Sequence, residues 1–204
     1  MNFNLNNKGL TLLEVVVAMG IFTLIIGGIV AMFIYSFQSN KIIWEQLSTQ
    51  NEGRKVVQDF INELRSATYS SIGAYPLSSA GNQEIIFYSN IDTDTLRERV
   101  RYFLSNKTLK KGVIKPTGAP LTYNLASEVI TEVAHDVANG ANPLFYYYNQ
   151  DYGNTATSTV LTQPVSATIV RVVGIKLSLE ENPTASPEPF NVEAKVEIRN
   201  LKSN

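Results

Sequence analysis

The chain has 204 residues, one histidine, no cysteine and a formal net charge of −1, with 17% of residues charged. Disulfides and thiolate metal sites are excluded, and most zinc or acid–base chemistry built on imidazole has no material to work with. The near-neutral balance offers no global attraction to nucleic acid or to an anionic membrane, and a cysteine-free chain is compatible with an extracytoplasmic location.

The chain opens on a short, Asn-rich polar leader that ends in Lys8-Gly9. From Leu10 to Phe37 it is almost wholly apolar, and Glu14 is the only charge before Lys41. About 20 apolar residues suffice for a helix to cross a bilayer core at roughly 1.5 Å per residue, so this stretch is long enough to span one. Lys8 and the amino terminus precede the span, which places the N-terminus in the cytoplasm. A secretory signal fits less well. Its apolar core runs to roughly 7–15 residues and is followed by a small-residue cleavage site, whereas this run is longer and has an acid near its start. A lipoprotein signal needs a cysteine.

Glu14 is the unusual residue. A carboxylate in hydrocarbon costs roughly 2.5–3.5 kcal/mol at a helix centre and less near its end, and by default such a group has a function and a partner. The structural alternative is that Glu14 stays hydrated at the interface or is protonated.

The stretch Lys8-Gly9-Leu10-Thr11-Leu12-Leu13-Glu14-Val15-Val16 resembles the prepilin motif of type IV pilins and type II secretion pseudopilins. The resemblance implies that a prepilin peptidase cuts between Gly9 and Leu10, and that Leu10, in place of the usual Phe, is then N-methylated. Glu14 falls at the fifth mature position, as the pattern requires. The implied assembly charge pair is the Leu10 amine of one subunit with the Glu14 carboxylate of its neighbour. Removing either charge would leave the other buried and unpaired. The chain would then be a substrate of the peptidase and not an enzyme. Its implied partners are the peptidase, other minor and major pilins or pseudopilins, the inner-membrane assembly platform, and membrane lipid before assembly. No nucleic acid is expected. The implied location is the inner membrane as a single-pass protein with its C-terminal domain extracytoplasmic, and then a pilus or pseudopilus.

The helical pattern continues beyond the span. Ile43, Leu47, Val57, Phe60, Ile61 and Leu64 recur at helical spacing between charged residues, and no proline occurs before Pro76. One long helix is expected, its first half apolar and its second amphipathic. Gly27-Gly28 and Gly53 are local weak points that would permit bending, with close helix packing through Gly27 and Ala31 as the alternative. Major pilins commonly carry proline where this chain has Ala31.

After Tyr69 the pattern changes to short strands. Expected strands are Glu84–Ser89, Arg97–Leu104, Thr108–Ile114, Val129–Val133, Leu144–Tyr148, Ala167–Leu179 and Phe190–Ile198. Ser105-Asn106-Lys107 should turn a hairpin, and Pro183, Pro187 and Pro189 mark a loop before the last strand. The expected fold class is α+β and pilin-like, a long N-terminal helix packed on antiparallel β-sheet. The expected divisions are a leader at 1–9, a transmembrane or filament-core helix at 10–37, its amphipathic continuation at 38–68 and a β-rich globular domain at 69–204.

Three further stretches resemble J-type pseudopilins and PilW-type minor pilins. They are Arg54 to Ala67, the hairpin Val100-Arg101-Tyr102-Phe103-Leu104 with Leu109-Lys110-Lys111, and Val196-Glu197-Ile198-Arg199-Asn200. The length suits this class better than the H- or I-type, and K-type subunits lack the glutamate found at Glu14.

Four other groups are candidates for a site. Arg97, Arg99 and Arg101 share one strand face, with Lys107, Lys110 and Lys111 nearby, so this is either a DNA-binding patch or a solvated outer face over a core of Val100, Tyr102 and Leu104. Phe145, Tyr146, Tyr147, Tyr148 and Tyr152 form either a stacking surface or a strand with one face in the core. Asp92, Asp94 and Asp151 are the weak metal candidates: calcium is possible, although no stretch has the ligand density of a recognisable loop and no cofactor is otherwise expected. His135 reads as a surface or hydrogen-bonded histidine.

The functional reading is a minor pilin or pseudopilin that primes or caps a filament, of a secretion, adhesive, motile or DNA-uptake system. The alternatives are a permanently anchored binding module or adhesin, for which Gly9 and Glu14 would be dispensable, and an anchored hydrolase, for which the sequence offers no catalytic constellation.

Overall fold

A computed structural model describes residue 9 and residues 11–153, 158–181 and 188–201. Leu10, the leader before Gly9, Pro183 and Pro187 lie outside the described residues. The chain divides into two compact units, one ending at Glu45 and the other beginning at Gln46.

Helix α1 runs over Leu12–Arg65 and contributes to both units. In the first unit every side chain from Thr11 to Gln38 is exposed. This part of the helix has a mean hydropathy of 2.6 over its most apolar window and is long and apolar enough to cross a membrane. A Cβ added at Gly27 or Gly28 would meet nothing within 4 Å. Farther along, Lys41 pairs with Glu45 at 3.5 Å, one turn away.

In the second unit α1 buries a stripe of Gly53, Val56, Val57, Phe60 and Leu64. This is the 3-4 spacing of one helix face. Leu47, expected on that stripe, stays 45% exposed. Gly53 is a packing residue here. A Cβ there would lie 2.8 Å from Leu179 Cδ1 and 3.3 Å from the Phe190 ring, so hydrogen at this position is what lets the strands approach the helix. The helix ends at Arg65, where the Ser66 hydroxyl bonds the Asn62 and Glu63 carbonyls at 3.2 and 2.9 Å. The Thr68 N–H then donates to the Tyr88 carbonyl at 2.9 Å, passing the chain from helix to sheet.

Among the described residues eight strands follow: β1 Leu77–Ala80, β2 Glu84–Ser89, β3 Glu98–Ser105, β4 Thr108–Ile114, β5 Val129–Ala134, β6 Phe145–Tyr148, β7 Val172–Leu179 and β8 Phe190–Glu197. All pairings are antiparallel. They form two sheets, β1-β2-β3-β4-β5 and β6-β7-β8, and not a single surface. The β3–β4 hairpin closes on Asn106-Lys107, with φ of 49° and 61°. Two successive left-handed residues match the twist of the flanking strands. The expected strand at Ala167–Leu179 begins only at Val172, because Ala167–Ile169 forms a short 3-10 turn. Arg171 stabilises that turn by donating to the Thr168 and Val170 carbonyls at 2.8 and 3.0 Å. β1 was not legible as a strand: it is four residues long and its ladder to β2 is irregular between Leu77 and Ser79.

Both sheets share one core with the helix. Phe60 is fully buried, and its ring meets Tyr102 of β3 at 5.2 Å, Phe145 of β6 at 5.5 Å and Phe87 of β2 at 6.3 Å. Polar groups join the sheets as well. The Asn82 carbonyl accepts the Leu144 and Phe145 N–H groups at 2.8 and 3.0 Å, and the Tyr147 hydroxyl donates to the Gly81 carbonyl at 2.7 Å. The tight turn between β1 and β2 is thereby fastened to β6.

Candidate functional site

At the start of α1, Thr11 and Glu14 bond each other reciprocally. Glu14 Oε2 accepts from both the Thr11 N–H and the Thr11 hydroxyl at 3.3 Å, and the Glu14 N–H donates to Thr11 Oγ1 at 3.3 Å. The Val15 N–H closes the first turn on the Thr11 carbonyl at 3.2 Å. This is a capping box: residue types Thr-x-x-Glu satisfy donors that the first helical turn leaves without partners. It also puts a negative charge at the positive end of the helix dipole. The signal was in the sequence, since a Thr three residues before a Glu at the head of an apolar run is the pattern for a helix start. Reading Glu14 only as a charge in search of an amine overlooks it.

Gly9 is exposed and has open space around it. Leu10 lies outside the described residues, so the Leu10–Glu14 pair has no geometry here. After Glu14, the side chains of Val15, Ala18, Met19 and Phe22 follow at helical spacing as one exposed apolar face.

A family model described as the prokaryotic N-terminal methylation motif matches residues 4–34. The chain carries a prepilin-type motif at its N-terminus. The matched residues take in the Gly9–Leu10 junction, Glu14 and most of the apolar run, while everything from Tyr35 onward lies outside the match. No curated protein matches the chain. Among solved structures, a chain of the GspK-GspI-GspJ complex from the type 2 secretion system of enterotoxigenic Escherichia coli is similar at a TM-score of 0.44 and 9% identity. The similarity covers 74% of this chain and 97% of that one.

Away from the prepilin motif, the structure sorts the other candidates. The basic face of β3 and β4 is largely neutralised. Arg101 donates to both oxygens of Glu128 at 2.9 and 2.8 Å and to Glu84 at 3.0 Å, and it lies 3.8 Å from the Phe103 ring centroid. The Glu128 contact raises the Arg101 pKa against the opposing effect of burial. Arg99 lies 3.7 Å from Glu128 and Lys110 pairs with Glu132 at 3.0 Å, while Lys111, directly across from Tyr102, lies on the other face and pairs with Glu63 of the helix. Arg97 spends its guanidinium on the Thr95 carbonyl at 3.1 Å. The opposite face of β3 enters the core through Val100 and Tyr102, while Leu104 is partly buried. Glu63 also accepts the Tyr102 hydroxyl at 2.9 Å. Burial foremost, with Glu63 beside it, pushes that hydroxyl's pKa far up, so it remains a donor.

Of the aromatic run, Phe145, Tyr147 and Tyr148 are buried and Tyr146 is half-buried. Tyr148 and Tyr152 lie 4.7 Å apart, with the Lys195 ammonium 5.4 and 5.8 Å from their centroids. The strand reading of this cluster therefore accounts for most of it. Asp151 sits apart from the other acidic candidates, taking an Asn149 side-chain N–H at 2.7 Å. Asp92 and Asp94 converge instead with Glu98, which the sequence reading did not single out.

His135 joins the helix to β5. Its N–H and Nδ1 reach Glu52 Oε1 at 2.8 and 2.9 Å, and Nε2 lies 3.3 Å from Glu132. The Glu52 contact, then Glu132, raises the imidazole pKa above its ordinary 6.5. A raised folded pKa stabilises the fold fully below the unfolded value, and that contribution is lost as pH rises through the folded one. The ring is half exposed, so solvent screening keeps the effect small. Melting temperature should therefore fall slightly as pH rises from 6.5, and His135→Gln should flatten that slope. An unchanged slope would show that the Glu52–His135–Glu132 contacts contribute nothing.

Proposed function

We propose that the chain is a minor pilin or pseudopilin, a structural subunit that primes or caps a filament of the type IV pilus or type II secretion class. The observation that carries this reading is the prepilin motif at residues 4–34, which takes in the head of an exposed apolar helix and its capped acid. In the proposed sequence of events, the apolar half of α1 holds the precursor in the inner membrane, with the β-rich domain outside the cytoplasm. A prepilin peptidase removes the leader after Gly9 and the Leu10 amine is methylated. The subunit then leaves the lipid with the help of the assembly platform, and its apolar helix is covered by those of neighbouring pilins or pseudopilins.

The capping box suggests how one acid serves both stages. In the membrane-held subunit, Glu14 is satisfied by its own Thr11, which reduces the cost of an acid near the end of an apolar span. In the filament, the neighbour's Leu10 amine supplies the counter-charge. The chain's role is structural, and the peptidase supplies the chemistry.

Mass measurement of the N-terminus after co-expression with a prepilin peptidase tests the reading. Loss of Met1 to Gly9 with one methyl on Leu10 is expected. An intact leader in the presence of an active peptidase overturns it.

A further inference from the structure

We propose that the β2–β3 connection, together with Glu98 at the head of β3, forms a divalent-cation site of the calcium type. Asp92, Asp94 and Glu98 each bring one carboxylate oxygen within 4.8 Å of the others. The second, independent observation is the state of Glu98. Its side chain is 2% exposed. Oε2 takes the Ile91 N–H at 3.1 Å, whereas Oε1 is buried with no hydrogen-bond partner among the described residues. A buried carboxylate with an open oxygen is costly unless a donor or a cation meets it.

The loop presents its oxygens with little freedom left to lose. Asp92 Oδ1 accepts the Asp94 N–H at 2.9 Å, and Asp94 Oδ1 accepts the Leu96 N–H at 2.7 Å. The other oxygen of each aspartate faces the Lys115 ammonium, which lies 2.8 Å from Asp92 Oδ2 and also pairs with Asp94. A cation thus already occupies the mouth of the cluster, but it belongs to a long side chain that is half exposed and free to swing away. Of the three negative charges the ammonium offsets one, and a divalent ion in its place would offset two. The donors are all hard oxygens, which selects calcium over the softer, nitrogen- or sulfur-preferring metals. Glu98 pairs with Ser89 at one end of the β2–β3 ladder, and Lys115 directly follows β4. Exchange of Lys115 for the ion would clamp the ends of β2 and β3 and release the end of β4.

The test is calorimetric titration of calcium chloride into the full-length chain in detergent micelles, with magnesium chloride as the comparator. One saturable calcium site is expected. Asp94→Asn and Glu98→Gln should each weaken it by about 10-fold or more, and Lys115→Met, which removes the competing charge, should tighten it by a similar factor. Asp151→Asn should leave it unchanged. Asp94 is only half-buried in the loop, so its variant remains informative even if Glu98→Gln fails to fold. Absence of saturable binding by the wild-type chain overturns the proposal, as does an Asp94→Asn variant that titrates like wild type.

Discussion

Glu14→Gln is expected to leave leader removal and the start of α1 intact while nearly abolishing incorporation into filaments. Glutamine at the third helical position still accepts from the Thr11 N–H, so the capping box survives the substitution. What it loses is the charge. A neighbour's methylated amine would then be buried without a counter-ion, and breaking a buried pair by removing one partner costs about 3–5 kcal/mol. At about 1.4 kcal/mol per tenfold, that is roughly a hundredfold to several-thousandfold fall in assembled subunit. The complementary change, Thr11→Val, removes the capping hydroxyl, costs about 1 kcal/mol of helix stability and leaves the charge in place. The measurement is the ratio of subunit in sheared filaments to subunit in the membrane fraction, for processed chains of each variant. If Glu14→Gln partitions like wild type while Thr11→Val does not, Glu14 acts as a cap and the charge-pair account fails.

Phe60→Ala should be the most damaging single change in the β-rich unit. The ring is fully buried and touches aromatic partners in β2, β3 and β6, so it joins the helix to both sheets at once. Truncating a buried Phe costs about 3–5 kcal/mol, because transfer energy is lost and the surrounding groups collapse only partly into the space. Domains of ordinary size have about 5–15 kcal/mol in total, so the variant would sit close to unfolding. Leu47→Ala on the same helix is the control, since Leu47 is 45% exposed and its loss should be within about 0.5 kcal/mol. Urea denaturation of the full chain in detergent, followed by tyrosine fluorescence, separates the two. Equal midpoints would mean that Phe60 does not link the sheets as described.

The elements that sequence reading located best were those with a strong local signal. Glu84–Ser89 and Thr108–Ile114 are strands over the expected residues, and the β3–β4 hairpin turns at Asn106-Lys107. β-Branched and aromatic runs bounded by turn residues carry that information within a few positions. Other elements were less legible, some for local reasons and some because distant segments decided them. β1 is too short to show a period, and the stretch at Ala167–Ile169 looks like strand until Arg171 reaches back to the Thr168 carbonyl. Gly53 reads as a hinge because glycine weakens helices. It acts as a contact because Leu179 and Phe190, more than a hundred residues away, pack against it. Similarly, Arg99 and Arg101 read as a charged patch until Glu128 and Glu84 arrive from other segments.

The candidate site divides the same way. The apolar run, the acid at Glu14 and its Thr11 partner are neighbours along the chain, and so they are legible in the residues alone. A helix start and a membrane-length span are set by neighbours along the chain, whose interactions survive without any fold around them. Two sheets instead of one, Phe60 between them and Glu98 beside Asp92 and Asp94 were decided only by the tertiary structure. Each depends on which side chains a strand register brings together, and registers are chosen by the whole core at once.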